Sequence, residues 1–355
     1  MDEIGSLVNI SKYAGERFDL VQAGGGNSSV KFDNGEMIIK ASGFLLSDVK
    51  KDNGYSRVYT LKIADIVKDK SILSCTDKRE RESLTSALVK AATIDKNNRP
   101  SIETLLHSFL LKYTLHTHPI VVNMIVVCAN WKAILNSIFS EMDIVLVEYE
   151  TPGIELALKL HQELKNCKNT PNVIFLQNHG LIITSEDENE IYRLNEYILE
   201  KIEKYLKIDL SKYKTTNNIT ALFSEIEPND NISYLSEDQF LNTQLSENKN
   251  LFFSMPFCPD SLVYCGISCV ELNDLSDRNS IDIYKNKYKE SPKVVIWENK
   301  LYFIAQNIKK TKEMEDVFKF HIMVLAQNPV SLNYLEYEEL AYLSNWEAEK
   351  FRQNI

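Results

Sequence analysis

The 355-residue sequence has few glycines, no closely paired cysteines and no long hydrophobic run. None of its six cysteines forms a Cys-x-x-Cys pair, so a structural zinc ribbon is not expected and the thiols are predicted to be reduced. After Gly54 only Gly153, Gly180 and Gly266 remain, which leaves no room for a downstream dinucleotide-binding fingerprint. The scarcity of glycine therefore argues against a dehydrogenase.

Positive charge is scarce as well, since 40 Lys and Arg residues face 50 Asp and Glu residues and the net charge is −10. Nucleic acid is therefore not expected as a partner, because phosphate contacts need clustered basic side chains. No apolar run approaches the length of a membrane span, and the N-terminal residues lack the basic region of a secretory signal. We expect a cytoplasmic protein with no membrane partner, whose local groups can still bind a small anion.

The glycines that are present gather near the N-terminus, in the stretch from Gly24 to Lys31 that reads GGGNSSVK. A turn at residues 33–35 leads from it into a second strand that contains Lys40. Consecutive glycines permit close approach of the backbone to a ligand, and successive N–H groups can bind an anion. Two interpretations remain open, a phosphate or carboxylate pocket and a glycine-rich hairpin entry without a ligand. A P-loop is excluded because no Gly-Lys-Ser/Thr follows.

A pair of histidines is the strongest chemical signal in the sequence. Residues 112–118 alternate in the manner of a strand, which directs the side chains of His116 and His118 to the same face. Two imidazoles at this spacing can bind one metal ion, whereas a single histidine is more often a packed or hydrogen-bonded residue. A third histidine, His179, lies in an Asn-His-Gly turn between two apolar strands that hold it rigidly. The pattern predicts a divalent-metal site.

An acidic residue precedes the histidine pair. Pro100 and Ser101 are predicted to start a short helix, with Ser101 as its N-cap and Glu103 in its first turn, where the helix dipole favours an ionised carboxylate. Glu103 is therefore a candidate acid/base beside the metal. His107, one turn later, is predicted to lie next to the site without binding the metal.

These motifs occur in one order: Gly26-Asn27-Ser28, Ser42-Gly43, Pro100 to Glu103, His116-Thr117-His118 and Asn178-His179-Gly180. The set resembles the class II aldolase/adducin family, and more closely the aldolase part of fused rhamnulose-1-phosphate aldolase/short-chain dehydrogenase proteins. Leu335 to Glu339 and Trp346 to Lys350 are similar to the end of that part. The resemblance implies an α/β fold, with an α/β/α core around a central mostly antiparallel sheet and a smaller C-terminal α+β unit.

The resemblance also implies roles for individual residues. The zinc ligands are expected to be His116, His118 and His179, with Glu103 as the catalytic acid/base. The positions that match the family's phosphate pocket are Gly26, Asn27, Ser28, Ser42, Gly43 and Ser101. Ile102 stands where the sugar-phosphate aldolases have a second serine, which removes a donor from that pocket. The family's catalytic tyrosine comes from a neighbouring subunit and has no assigned counterpart here.

The implied activity is that of a zinc-dependent lyase that cleaves or joins a ketose or sugar phosphate through an enediolate. The alternatives within the family are a metal-dependent epimerase, decarboxylase or dehydratase acting on a sugar or sugar acid. A non-catalytic scaffold like the adducin head is a third alternative, although that role would not need the three histidines and the glutamate. The family also implies a homotetramer.

The length of the chain predicts two domains or one domain with a sizeable appendage. We expect a class II aldolase-like metal-binding catalytic domain at 1–210, a polar connecting region at 211–250 and a C-terminal α+β extension at 251–355. The strands expected in the extension are Ser261–Tyr264, Lys293–Trp297 and Leu301–Ala305. The helices expected there are Thr311–Ala326 and Tyr334–Arg352.

Overall fold

A computed structural model describes residues 2–95, 97–227, 231–327 and 332–345. The chain divides into two compact units, residues 1–211 and residues 212–355. The helices of the first unit are α1 (Glu3–Gly15), α2 (Thr60–Asp65), α3 (Lys70–Ser74), α4 (Lys78–Ala92), α5 (Thr104–Ser108), α6 (Ile120–Val126), α7 (Trp131–Ile138), α8 (Ile154–Leu164) and α9 (Glu188–Leu206). Its strands are β1 (Asn27–Lys31), β2 (Glu36–Lys40), β3 (Tyr55–Tyr59), β4 (Tyr113–Thr117), β5 (Ile144–Val147), β6 (Val173–Leu176) and β7 (Gly180–Ser185).

The seven strands of the first unit form one sheet in the order β3-β2-β1-β4-β7-β6-β5. Neighbouring strands are antiparallel except β5 and β6, which are parallel. This is the mostly antiparallel sheet that was expected, and the prediction of the fold class is confirmed. The order places β4, which carries His116 and ends directly before His118, between β1 and β7 at the centre of the sheet.

Both faces of this sheet are covered by helices, as alternation along β7 illustrates. Leu181 and Ile183 belong to a buried cluster with residues of α1, α6 and α9. Ile182, which points to the opposite face, belongs to a second cluster with residues of α2, α5 and α8. A strand that is buried on both faces needs apolar residues at consecutive positions, which explains the unbroken run Leu181-Ile182-Ile183.

The chain enters α5 differently from the prediction. The helix begins at Thr104, so that Glu103 occupies the N-cap position and Ser101 lies before the helix. The backbone of Ser42 donates to the Arg99 carbonyl oxygen at 2.8 Å, and Ala41 forms an isolated bridge with Pro100. Residues 41 and 42 thus pair with residues 99 and 100, and the helix begins only at Thr104. The hydroxyl of Ser101 instead accepts a hydrogen bond from the Glu103 backbone at 3.3 Å.

The described helices of the second unit are α10 (Ser211–Ile226), which starts at the boundary, α11 (Gln239–Glu247), α12 (Pro259–Cys265), α13 (Arg278–Tyr288), α14 (Ile308–Ala326) and α15 (Tyr337–Asn345). Its strands are β8 (Ile232–Leu235), β9 (Val270–Glu271), β10 (Val294–Trp297) and β11 (Lys300–Ala305), in the sheet order β8-β11-β10-β9. Strands β9 and β10 are parallel and the other pairs are antiparallel. A core of apolar side chains from this sheet and from α11 and α14 holds the unit together.

Two predictions for this part of the chain are corrected. The expected connecting region, 211–250, contains α10, β8 and α11, and β8 pairs with β11, so the region belongs to the sheet unit. The expected strand Ser261–Tyr264 is part of α12, because Pro259 occupies the first turn and starts a helix. An apolar run of four residues does not distinguish the two structures.

Strands β10 and β11 and helix α14 match their predictions closely. Of the predicted helix Tyr334–Arg352, the structure contains Tyr337–Asn345, and residues 346–352 lie outside the described part of the chain. Among the residues that are described, no helix combines the length and hydrophobicity needed to cross a membrane.

Candidate metal centre

Three histidines converge where the central strands of the sheet end. His116 lies in β4, His118 follows the end of that strand, and His179 lies in the turn between β6 and β7. Because β7 pairs with β4 in a register that places His116 opposite Ile182, the turn that carries His179 lies beside the end of β4. The Nε2 atoms of His116 and His118 are 3.1 Å apart, and those of His116 and His179 are 3.3 Å apart.

These distances fit a shared cation. Two imidazole nitrogens that bind a tetrahedral zinc ion at 2.0–2.1 Å would lie about 3.3 Å from each other. In the described part of the chain, this is the group of side chains whose donor atoms are close enough to hold one ion. His116 is buried, whereas His118 and His179 are partly exposed, so the cluster can be reached from solvent on the side of the latter two. The three residues could therefore hold a metal ion and leave a position for a ligand.

The environment of His116 suits a metal ligand. Its Nδ1 lies 3.0 Å from the carbonyl oxygen of Leu181, so the Nδ1–H donates to that oxygen and Nε2 keeps its lone pair. Burial lowers the pKa of His116 well below its usual value, and burial also lowers the pKa of His118. Both imidazoles are therefore neutral near pH 7, the state that binds a metal.

Two glycines allow the backbone to approach the histidines. A Cβ atom at Gly25 would lie 2.8 Å from the His118 Nδ1, and a Cβ atom at Gly180 would collide with the Thr117 carbonyl oxygen. The backbone N–H of His118 donates to the Leu20 carbonyl oxygen at 2.9 Å. The segment before β1 thus packs directly on the end of β4, where a side chain larger than hydrogen would not fit.

Glu103 lies next to the histidine cluster. Its Oε1 is 3.2 Å from His179 Nε2, and its Oε2 is 3.5 Å from His116 Nε2. The amide of Asn27 donates to Oε2 at 2.5 Å. Glu103 is only 6% exposed, and this burial raises its pKa. Hydrogen bonds from His179 and Asn27 favour the ionised carboxylate, and the pKa of Glu103 is lowered overall.

His107 is fully buried next to this group and lies outside the histidine cluster. Its Nδ1 is 2.7 Å from the hydroxyl of Ser29, the second residue after Asn27 in β1. The structure therefore locates His107 near Glu103 and away from the atoms that could bind a metal.

The residues expected to form the phosphate pocket do not all face the same way. Asn27 points toward Glu103, but the Ser28 hydroxyl lies 2.6 Å from that of Ser11 in α1, on the opposite face of the sheet. Ser42 and Gly43 are exposed, and Gly26 is buried beside the end of β4. On the Asn27 side of β1, Ser28 can therefore offer a ligand its backbone but not its hydroxyl.

Lys40, which the sequence places in the strand after the glycine-rich stretch, is a buried cation. Only 3% of the residue is exposed, and its Nζ donates to the carbonyl oxygens of Phe44 at 2.7 Å and Gly24 at 3.4 Å. Burial lowers its pKa, while the charge of Glu103 raises it. In the sequence this lysine follows the apolar run Met37-Ile38-Ile39, and its burial could not be inferred from that pattern.

The pH dependence of stability should report the burial of His107. Burial lowers its pKa from 6.5 to about 3, so below pH 6.5 the unfolded chain takes up a proton that the folded chain does not. The free energy of unfolding should therefore fall as the pH decreases, by up to about 1.4 kcal/mol per pH unit from this residue. Urea unfolding between pH 7 and 4 should give a shallower decrease for His107→Asn than for the wild type. Parallel curves for the two proteins would contradict the prediction.

Together these features describe a helix-covered, mostly antiparallel sheet. Three convergent histidines and a buried carboxylate lie where its central strands end. The model of the Class II Aldolase and Adducin N-terminal domain matches residues 6–206, more than half of the chain. The protein belongs to this family. Members typically bind a divalent metal ion and act on small sugar substrates.

Individual relatives are distant. "Uncharacterized oxidoreductase YuxG" of Bacillus subtilis (strain 168) is 27% identical over 220 residues, which is 59% of this chain and 30% of that protein. The chain thus spans less than a third of this relative, consistent with the expected likeness to one part of a fused protein. The class II aldolase domain of a Thermoplasma acidophilum protein is 24% identical, with a TM-score of 0.49, covering 58% of this chain and 94% of that one. YgbL from Klebsiella pneumoniae is 16% identical, with a TM-score of 0.41 and coverages of 58% and 88%.

Proposed function

We propose that the protein is a zinc-dependent aldolase, a lyase that cleaves or forms a C–C bond in a ketose or sugar phosphate. The observation that supports this best is the buried, ionised carboxylate of Glu103 within 3.5 Å of two histidines of a cluster that could hold a metal. A carboxylate in this position can move a proton on a substrate that is bound at the same point. The family supports metal-dependent chemistry on a sugar.

The proposed ligands of the metal are His116, His118 and His179. Three neutral imidazoles leave a zinc ion its full charge and an open position, so that bound zinc would stabilise negative charge on a substrate oxygen. The partial exposure of His118 and His179 supplies the side from which a substrate would enter.

Glu103 is the proposed acid/base. Asn27 donates to its Oε2, whereas its Oε1 faces the histidine cluster, 3.2 Å from the His179 Nε2. We therefore assign the proton transfer to Oε1, which would take a proton from the substrate and return it. The contact with Asn27 fixes the rotation of the carboxylate and keeps Oε1 directed toward the histidines.

The substrate is proposed to be anionic and to lie near the glycine-rich segment. Gly26, Asn27, Ser42, Gly43 and Ser101, with the backbone of Ser28, remain the proposed binding positions. Lys40 adds a nearby positive charge, although its Nζ also donates to two backbone carbonyl oxygens. Ile102 replaces a serine of the family's phosphate pocket, which weakens the expectation of a phosphate group on the substrate. A sugar acid and an unphosphorylated ketose are therefore tested alongside the sugar phosphates. A homotetramer in the cytoplasm is the proposed assembly and location.

A substrate panel tests the proposal directly. Zinc-loaded protein would be incubated with fuculose 1-phosphate, rhamnulose 1-phosphate, unphosphorylated ketoses and sugar acids, and the products followed by mass spectrometry and ¹H NMR. An aldolase should release an aldehyde and a smaller ketone, and chelated protein should release neither. A product of unchanged mass with inverted stereochemistry would replace the lyase by an epimerase, and loss of CO₂ or water would indicate a decarboxylase or dehydratase. No turnover of any compound by metal-loaded protein would contradict the proposal.

A further inference from the structure

Helix α5, which follows Glu103, is held to β1 along its whole length by three side chains. Alternate residues of β1 face the helix: Asn27 donates to Glu103, Ser29 contacts His107, and the Lys31 Nζ donates to the carbonyl oxygens of Ser108, at 3.0 Å, and Leu110. We call this set of contacts the β1–α5 clamp.

The spacing of the clamp follows from the two periodicities. Residues two apart in a strand are separated by about 6.6 Å on one face. Residues four apart in a helix are separated by about 6 Å along its axis. The pairs Asn27–Glu103 and Ser29–His107 match these spacings, so both contacts form without distortion of either element.

Polar contacts with β1 supplement the apolar packing of Leu105 and Leu106 in fixing the position of the helix. It has only five residues, too few for a stable helix without tertiary contacts, and all of them are buried. Among the residues that the structure describes, no side chain caps its first turn. The side-chain hydrogen bond between Ser29 and His107 joins α5 to β1 without involving Glu103.

The other side of β1 connects to the metal-binding strand. In the pairing of β1 with β4, Asn27 lies opposite His116 and Ser29 lies opposite Thr114. Strand β1 therefore contacts both the helix that follows Glu103 and the strand that bears His116. A shift of α5 along β1 would move Glu103 relative to His116 and leave the mutual positions of the histidines unchanged.

We propose that Ser29 and His107 are positioning residues that hold the Glu103 carboxylate against the histidine cluster. This inference rests on the proposed function of Glu103. Neither side chain contacts the substrate or the metal in this scheme. Removing their contact should allow α5 to shift, and a displacement on the order of 1 Å at a reacting group can lower the rate about a hundredfold.

The test compares Ser29→Ala with Ser108→Ala. Both variants lose one buried hydroxyl, but the Ser108 hydroxyl bonds only within α5, to the Leu105 carbonyl oxygen at 2.6 Å. The assay follows exchange of the α-hydrogen of dihydroxyacetone phosphate, and separately of unphosphorylated dihydroxyacetone, in D₂O by ¹H NMR, on zinc-loaded protein. Ser29→Ala should lower kcat by roughly ten- to a hundredfold and change KM by no more than about twofold. Ser108→Ala should retain most of the wild-type kcat.

A second pair of variants separates positioning from general destabilisation. His107→Asn keeps a polar atom near the position of Nδ1, and His107→Ala removes it. The asparagine variant should restore most of the kcat that the alanine variant loses. Metal content and the visible spectrum of the cobalt-loaded proteins should equal those of the wild type in all four variants, because the histidine contacts are untouched.

Some outcomes would overturn the inference alone. If wild-type protein exchanges the hydrogen and Glu103→Gln does not, but Ser29→Ala matches the wild type, Ser29 does not position Glu103. Equal losses in Ser29→Ala and Ser108→Ala, or a changed cobalt spectrum in Ser29→Ala, would also reject it. If metal-loaded wild type exchanges the hydrogen of neither dihydroxyacetone phosphate nor dihydroxyacetone and Glu103→Gln is no different, the proposed function fails and this inference fails with it.

Discussion

Replacing Glu103 with glutamine should lower turnover by roughly 10²–10⁴-fold without loss of bound metal. Glutamine has nearly the same shape, and its carbonyl oxygen can still accept the hydrogen bond that Asn27 donates to Oε2 at 2.5 Å. Its amide cannot take a proton, so only the proton transfer is removed. Hydrogen exchange in D₂O measures the transfer, and elemental analysis of the same sample measures the metal.

The control for this experiment is Glu80→Gln, which changes an exposed carboxylate on α4 in the same unit. It should behave as the wild type does in both measurements. Full activity of Glu103→Gln would show that another group carries the proton. Loss of metal from Glu103→Gln would assign the carboxylate to the coordination sphere.

Replacing His179 with alanine should weaken metal binding severely. The His179 Nε2 lies 3.3 Å from that of His116, and its loss would leave two imidazoles from one strand. Loss of an outer contact to a metal ligand already costs about 10–100-fold in affinity, so loss of a ligand should cost at least about a hundredfold. Competition with a coloured chelator gives the affinity, and turnover should fall with it.

His161→Ala is the matched control, because His161 is partly exposed on α8, packs against Phe109 and lies outside the cluster. Its metal affinity should equal that of the wild type. If His179→Ala binds zinc as tightly as His161→Ala does, the three-histidine site is wrong, whatever the activity of either variant.

Local patterns predicted the elements that carry the histidines. Alternation identified β4, and an apolar run closed by Asn178 and Gly180 identified the hairpin of β6 and β7. Asn178 adopts a positive φ of 51°, which asparagine tolerates better than most residues. These features depend on neighbours in sequence, so the sequence alone was sufficient for them.

The predictions that failed depended on distant contacts. Ser101 has the chemistry of an N-cap, but Pro100 pairs with the distant Ala41 and the helix begins at Thr104. The polar composition of 211–250 suggested a connection, yet β8 pairs with β11, which lies about seventy residues away in sequence. Pairing between strands so far apart depends on packing against their neighbours in the sheet, and the local composition of each strand does not predict it.

The order of the motifs was enough to predict the family, whose resemblance implied the mostly antiparallel fold, and residue period was enough to predict which residues carry the chemistry. Only the tertiary structure decided which of those residues meet. It directs Asn27 toward Glu103, 76 residues later, and turns the adjacent Ser28 toward α1, since successive residues of a strand face opposite sides. It also brings His179 beside His116 through the pairing of β7 with β4, because a hydrogen-bonded register joins segments that the chain keeps far apart.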